Sequence, residues 1–166
     1  MSQIVSSGQA VSGGTVSGEG NILTVENGGS IQHVTVLIGG TVSIEGEDLI
    51  LTVSNGGALT VVSAGNSSNT TAVPGGINAV TQGVHNDHIA VSSGGMQVTS
   101  SGGKLTHTQL NPGATLSALS GSIVDHAEVR SGALFYVAPG ATTVISSGAV
   151  LTLQSGGHPD RDDPVV

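Results

Sequence analysis

Six histidines are the side chains of this sequence best suited to chemistry, and three of them keep a period. His88, His107 and His126 are each separated by 19 residues, and Asp87 and Asp125 directly precede the first and the last. His85 joins the same group in His85-Asn-Asp87-His88, and His33 stands before Val34-Thr-Val36 in an equivalent place upstream. Imidazoles with carboxylates suit divalent ions such as Zn²⁺, Ni²⁺ or Cu²⁺. Imidazole is also the side chain that changes charge near neutral pH. Either use requires the three histidines to be neighbours in space. The competing reading is a polar ladder at a solvent-facing corner, its period inherited from a repeating backbone.

The backbone does repeat. A unit Val-x-x-Gly-Gly/Ala recurs, as in Val53-Ser-Asn-Gly56-Gly57, Val91-Ser-Ser-Gly94-Gly95 and Val129-Arg-Ser-Gly132-Ala133. Gly56, Gly75, Gly94, Gly113 and Gly132 step by 19, and Gly102, Gly121 and Gly140 form a second series with the same step. Each period therefore holds two turns, which divide it into halves of about 8 and 11 residues. Between the turns lie short segments with the alternation of a strand, such as Leu49-Ile-Leu51-Thr-Val53. Asn-Gly, Ser-Gly and Pro-Gly close them, because glycine reaches positive φ at no steric cost. Frequent glycine and β-branched runs oppose helix. The pattern predicts an all-β, right-handed parallel β-helix (a β-solenoid) of about 19 residues per coil and 8–9 coils. In that register Val53, Ala72, Val91, Leu110 and Val129 form one inward column. Rungs about 4.8 Å apart give a rod roughly 40 Å long. The histidines should stack facing outward, because the residues after them, Ile89, Thr108 and Ala127, share an inward column with Leu51.

Outside residues 56–140 the glycine spacing is uneven. The expectation there is coils with insertions, one of them an acidic loop at Glu45-Gly-Glu47-Asp48. Residues 1–157 read as the repeat domain and 158–166, with two prolines and three aspartates, as a disordered acidic tail or linker.

Composition narrows function. The net charge is −8 with three Lys and Arg residues, too few to neutralise phosphates, so neither nucleic acid nor an anionic membrane surface is expected as a partner. No apolar run approaches the ~18 residues of a spanning helix, so this segment should not insert in a membrane. Zero cysteines exclude disulfides and thiol chemistry. Met1-Ser2-Gln3-Ile4-Val5 lacks the features of a secretory signal peptide, so a fragment or another export route is expected. A mean hydropathy of +0.25 argues against disorder.

Catalysis finds little support. Glu45, Glu47 and Asp48 could suggest Ca²⁺ or paired glycosidase carboxylates, but Phe135 and Tyr136 are the only aromatics to line a sugar cleft. The Gly-Gly pairs lack the Lys-Ser/Thr ending of a phosphate loop. Ice binding would need threonine columns, but at +19 Thr52 maps to Thr71 and then Ala90, so no threonine column should survive three coils. No enzyme and no cofactor is expected.

Two adjacent units, Val91-Ser-Ser-Gly-Gly-Met-Gln-Val98 and Thr99-Ser-Ser-Gly-Gly-Lys-Leu105, resemble the strand–loop–strand repeat of AIDA-type autotransporter passenger domains, the family of antigen 43-like adhesins. The resemblance covers residues 4–157. It implies a right-handed β-helix at the bacterial cell surface or secreted, acting in adhesion or self-association with a second copy or a host surface ligand. It further implies O-glycosylation by an O-heptosyltransferase, with Ser92, Ser93, Ser100, Ser101, Ser146 and Ser147 matching the repeat serines. The alternative is a passive solenoid spacer or secretion scaffold presenting a separate downstream domain.

Overall fold

A computed structural model of the chain describes residues 2–62, 65–81, 84–145, 152–153 and 158–161. They form a β-solenoid of stacked parallel strands, with no helix among them. Each coil crosses two sheets. The broad sheet has nine strands, from Ser2–Val5 through Asn21–Val25, Gly40–Ile44, Ala58–Val61, Ile77–Val80, Met96–Thr99, Thr115–Ala118 and Leu134–Val137 to Thr152–Leu153. The second sheet has thirteen, because most coils contribute two short strands to it, such as His85–Asp87 and Ala90–Val91. We call it the split sheet.

Register follows the glycine series. Ala58 pairs with Ile77, Ile77 with Met96, Met96 with Thr115 and Thr115 with Leu134. The turns stack as tightly as the strands. The Gly75 amide donates to the Gly94 carbonyl at 2.9 Å, Gly94 to Gly113 at 2.8 Å and Gly113 to Gly132 at 2.8 Å. Gly75 has φ +73°, a conformation in which any side chain is strained. The predicted inward column of Val53, Ala72, Val91, Leu110 and Val129 is buried throughout. Aliphatic side chains from both sheets fill the core, joined near its C-terminal end by fully buried Phe135.

The uneven segments differ from expectation. The first coil steps by 20 residues, as Ser2 pairs with Ile22. Two coils later Thr41 pairs with Ala58, a step of 17. The acidic group is therefore a contraction and no inserted loop: Glu45-Gly46-Glu47 replaces the longer turn 26–30 above it. Glycine is required there, since a Cβ on Gly46 would lie 2.2 Å from the Gly29 carbonyl oxygen. The contraction moves Glu47 and Asp48 into a strand, Glu47–Val53. At the far end, His158–Arg161 pair in parallel with Thr142–Ile145, so the ladder enters the first four residues assigned to the tail. Residues 162–166 of that tail lie outside the described residues.

The same contraction places a carboxyl group inside the solenoid. Asp48 is 2% exposed and stands in an inward column with Ser67 and Asn86. Among the described residues neither carboxylate oxygen has a well-formed hydrogen bond, the nearby Ser67 hydroxyl pairing with Thr70 at 2.7 Å. Burial consequently pushes the Asp48 carboxyl up to about 7, and the weak pull of Ser67 and the Ser68 backbone does not offset it. In the unfolded chain this carboxyl ionises near 3.8. Between those values the folded state holds the extra proton, so stability falls as pH rises and levels off above about 7. The loss is on the order of 4 kcal/mol. Asp48→Asn, matched in shape by Asn86 in the same column, is expected to melt several degrees above wild type at pH 8 and level with it at pH 4. Thermal melts followed by circular dichroism at the two pH values check this; equal melting at pH 8 would contradict the burial account.

Candidate functional site

The histidine ladder is built by a corner in the split sheet. Inward Asn86 is followed by two residues on the outside, Asp87 and His88, before Ile89 returns to the core. The left-handed conformation of His88, φ 52°, makes that reversal possible. The same corner recurs at His33, Ile50, Asn69, His107 and His126, all with positive φ. Asn and His tolerate this region far better than β-branched residues do. Backbone bonds lock the corner to the next coil, the His88 amide donating to Thr106 and the His107 amide to Asp125, each at 3.1 Å.

Stacked coils bring the three rings together. The His88 and His107 centroids are 4.9 Å apart at 17°, and those of His107 and His126 are 5.6 Å apart at 22°. All three face solvent, as their register predicts. Asp87 lies between the first two: His88 Nδ1 is 2.8 Å from its Oδ2 and His107 Nδ1 is 3.0 Å from its Oδ1. The Thr106 hydroxyl also donates to Asp87 Oδ1 and accepts from His85 Nε2 at 3.0 Å. Partial burial works to raise the Asp87 carboxyl, but hydrogen bonds from Thr106, His107 and His88 outweigh it and hold the group well below the usual carboxylate range.

The rest of the expected group is arranged differently. His126 Nδ1 pairs with its own neighbour Asp125 at 2.8 Å, and Asp125 also meets the Lys104 ammonium at 3.9 Å. His33 shares the corner column but is separated from His88 by the corners at Ile50 and Asn69. The acids of 45–48 do not converge. Glu45 and Glu47 border an open notch of about 370 Å³, while Asp48 is buried in the core. Of the candidate serines, Ser93 and Ser101 are exposed, and Ser92 and Ser100 are half-buried at stacked turns. Ser146 and Ser147 lie outside the described residues.

Two features escaped the sequence. Thr15, Thr35, Thr52 and Thr71 form one outward column over four successive coils, overturning the expectation that no threonine column survives three. The 20- and 17-residue steps had hidden it, since only the last two threonines are 19 apart. The second feature is the outer face of the broad sheet. No strand of that sheet carries Asp, Glu, Lys, Arg or His. One outward column runs Ile22, Thr41, Ala58, Ile77, Met96, Thr115, Leu134. Its large apolar members are 41–45% exposed. Every charged residue among those described belongs to the split sheet or to a turn.

No protein-family model matches the chain, and no curated protein matches it. Among solved structures, the chain is similar to the crystal structure of a TibC-catalysed, hyper-glycosylated TibA55-350 fragment, at 19% identity over 98% of this chain and 92% of that one, with a TM-score of 0.25. No helix among the described residues is long and apolar enough to cross a membrane.

The corner geometry predicts which substitutions the ladder accepts. His107→Asn should fold as stably as wild type, since Asn69 occupies an equivalent corner. His107→Ala should cost about 1 kcal/mol, and Ile50→Asn, which relieves a β-branched residue at φ 65°, should gain a similar amount. Chemical denaturation of the three variants checks the order; an alanine variant as stable as the asparagine one would contradict the strain.

Proposed function

We propose that this chain is a structural and adhesive module of a bacterial autotransporter-like protein, at the cell surface or secreted, which self-associates through the outer face of its broad sheet. The uncharged character of that face carries the reading. A chain with net charge −8 repels its copies wherever its acids meet. Among the described residues, the broad sheet offers a continuous face on which two copies can approach without placing like charges together. Its exposed Ile22, Ile77, Met96 and Leu134 supply apolar area, and the threonines and serines between them supply hydrogen bonds. Each rung contributes little, so affinity grows with the number of rungs engaged. Face-to-face packing of sheets at about 10 Å provides the geometry.

The double variant Ile77→Asp/Met96→Asp changes two outward neighbours on adjacent rungs and leaves the core untouched. Wild type should sediment as a concentration-dependent dimer, and cells displaying it should clump. The variant should remain monomeric and its cells dispersed. A wild type that stays monomeric at high concentration and does not clump cells would sink the proposal, and clumping only with host cells would point to a host surface ligand.

Glycosylation belongs to the same reading. Exposed Ser93 and Ser101 are the acceptors we propose for an O-heptosyltransferase, being solvent-accessible turn residues. Intact mass of the chain from its natural producer should show added sugar that falls in Ser93→Ala/Ser101→Ala; an unmodified mass would overturn the assignment.

A further inference from the structure

We propose that Asp87, His88 and His107 form a surface site for one divalent transition-metal ion, with Zn²⁺ as the fitting ion and Thr106 as the outer support. Metal binding requires donor atoms that already converge, a support that orients them, and access from solvent. The three residues offer one donor each, and all the donors lie within 4.8 Å of one another. Asp87 Oδ2 is 2.8 Å from His88 Nδ1, and Asp87 Oδ1 is 3.0 Å from His107 Nδ1. Neighbouring ligands on a tetrahedral zinc ion with bonds of about 2.0–2.1 Å are roughly 3.3 Å apart. One ion therefore meets all three donors once the carboxylate–imidazole pairs spread by a few tenths of an ångström and the most separated donors, now within 4.8 Å, draw in to a similar spacing through side-chain rotation. Neutral imidazole moves its remaining proton to Nε2, which faces solvent. Zinc has no d-electron preference that would penalise a distorted tetrahedron, so it tolerates donors placed by a backbone repeat. Two protein nitrogens and one oxygen leave a fourth position for water.

The support is present as well. Thr106 is 8% exposed and donates to Asp87 Oδ1, while His85 Nε2 holds Thr106 from its other side at 3.0 Å. When the ion displaces the histidine hydrogen bonds, the Thr106 bond still orients the carboxylate. Partners of this kind change metal affinity by about 10–100-fold in other sites. The stack is also asymmetric. His126 has its own carboxylate, Asp125, but that group already faces the Lys104 ammonium at 3.9 Å, which competes with a cation. The geometry thus selects the first two histidines of the three and leaves His126 outside the site.

Isothermal titration of the purified chain with ZnCl2 tests this. One saturable site per chain is expected. His107→Asn and Asp87→Asn should each weaken it about tenfold or more, Thr106→Val by a smaller factor, and His126→Asn should leave it unchanged. Because asparagine occupies the equivalent corner at Asn69, the histidine variants should keep the fold, and their circular dichroism melts confirm it. Absence of a saturable heat overturns the proposal. So does unchanged affinity in His107→Asn, or a loss in His126→Asn equal to that in His107→Asn.

Discussion

Everything in this molecule depends on the backbone bonding of each coil to the next in one fixed register. The strands contribute the usual parallel ladder, but the turns join it, with the Gly75, Gly94, Gly113 and Gly132 backbones hydrogen-bonded in sequence. Such stacking demands that each turn repeat in conformation as well as in length, which is why positive-φ glycine returns at the same place coil after coil. Once the turns stack, side chains a coil apart must stack too. Core columns, the histidine ladder and the uncharged face are consequences of one constraint, whatever selected each of them.

The constraint also has costs. A single polar residue placed inward cannot turn out without breaking the register of its coil. Asp48 is held inside by the contraction beside it. Asn78 and Asn86 are fully buried with side-chain atoms that find no partner among the described residues. Each unpaired group of this kind opposes folding by about 1–3 kcal/mol. The aliphatic columns on either side and the hydrogen-bonded turns outweigh these penalties collectively, as befits a fold stabilised by neighbour-to-neighbour contacts.

The regular part of the fold was legible in the sequence because glycine marks it directly. Gly56, Gly75, Gly94, Gly113 and Gly132 state the period, and the stacking of His88, His107 and His126 follows from it. Upstream, the same reasoning lost its footing. A coil of 17 residues looks from its glycines like an irregular loop, and only pairing Val36 with Val53 shows that two residues are missing. The threonine column and the burial of Asp48 were hidden for that reason. The sharing of Asp87 between two histidines was hidden for another: period aligns residues but does not say which carboxylate oxygen a ring nitrogen will reach. The uncharged face could have been found by asking which strands lack charge once the coils are aligned, since no charged residue interrupts any of the nine.

Register itself is open to direct measurement, because the chain has no cysteine and spin labels can be placed at will. Thr41 and Leu134 stand in one outward column, five rungs apart along the pairings. With rungs about 4.8 Å apart, labels on Thr41→Cys and Leu134→Cys should lie roughly 24 Å apart. Pulsed electron paramagnetic resonance should give one narrow distribution centred there, broadened only by the label linkers. A broad distribution, or a maximum displaced by more than one rung, would contradict the stacked register on which the whole account stands.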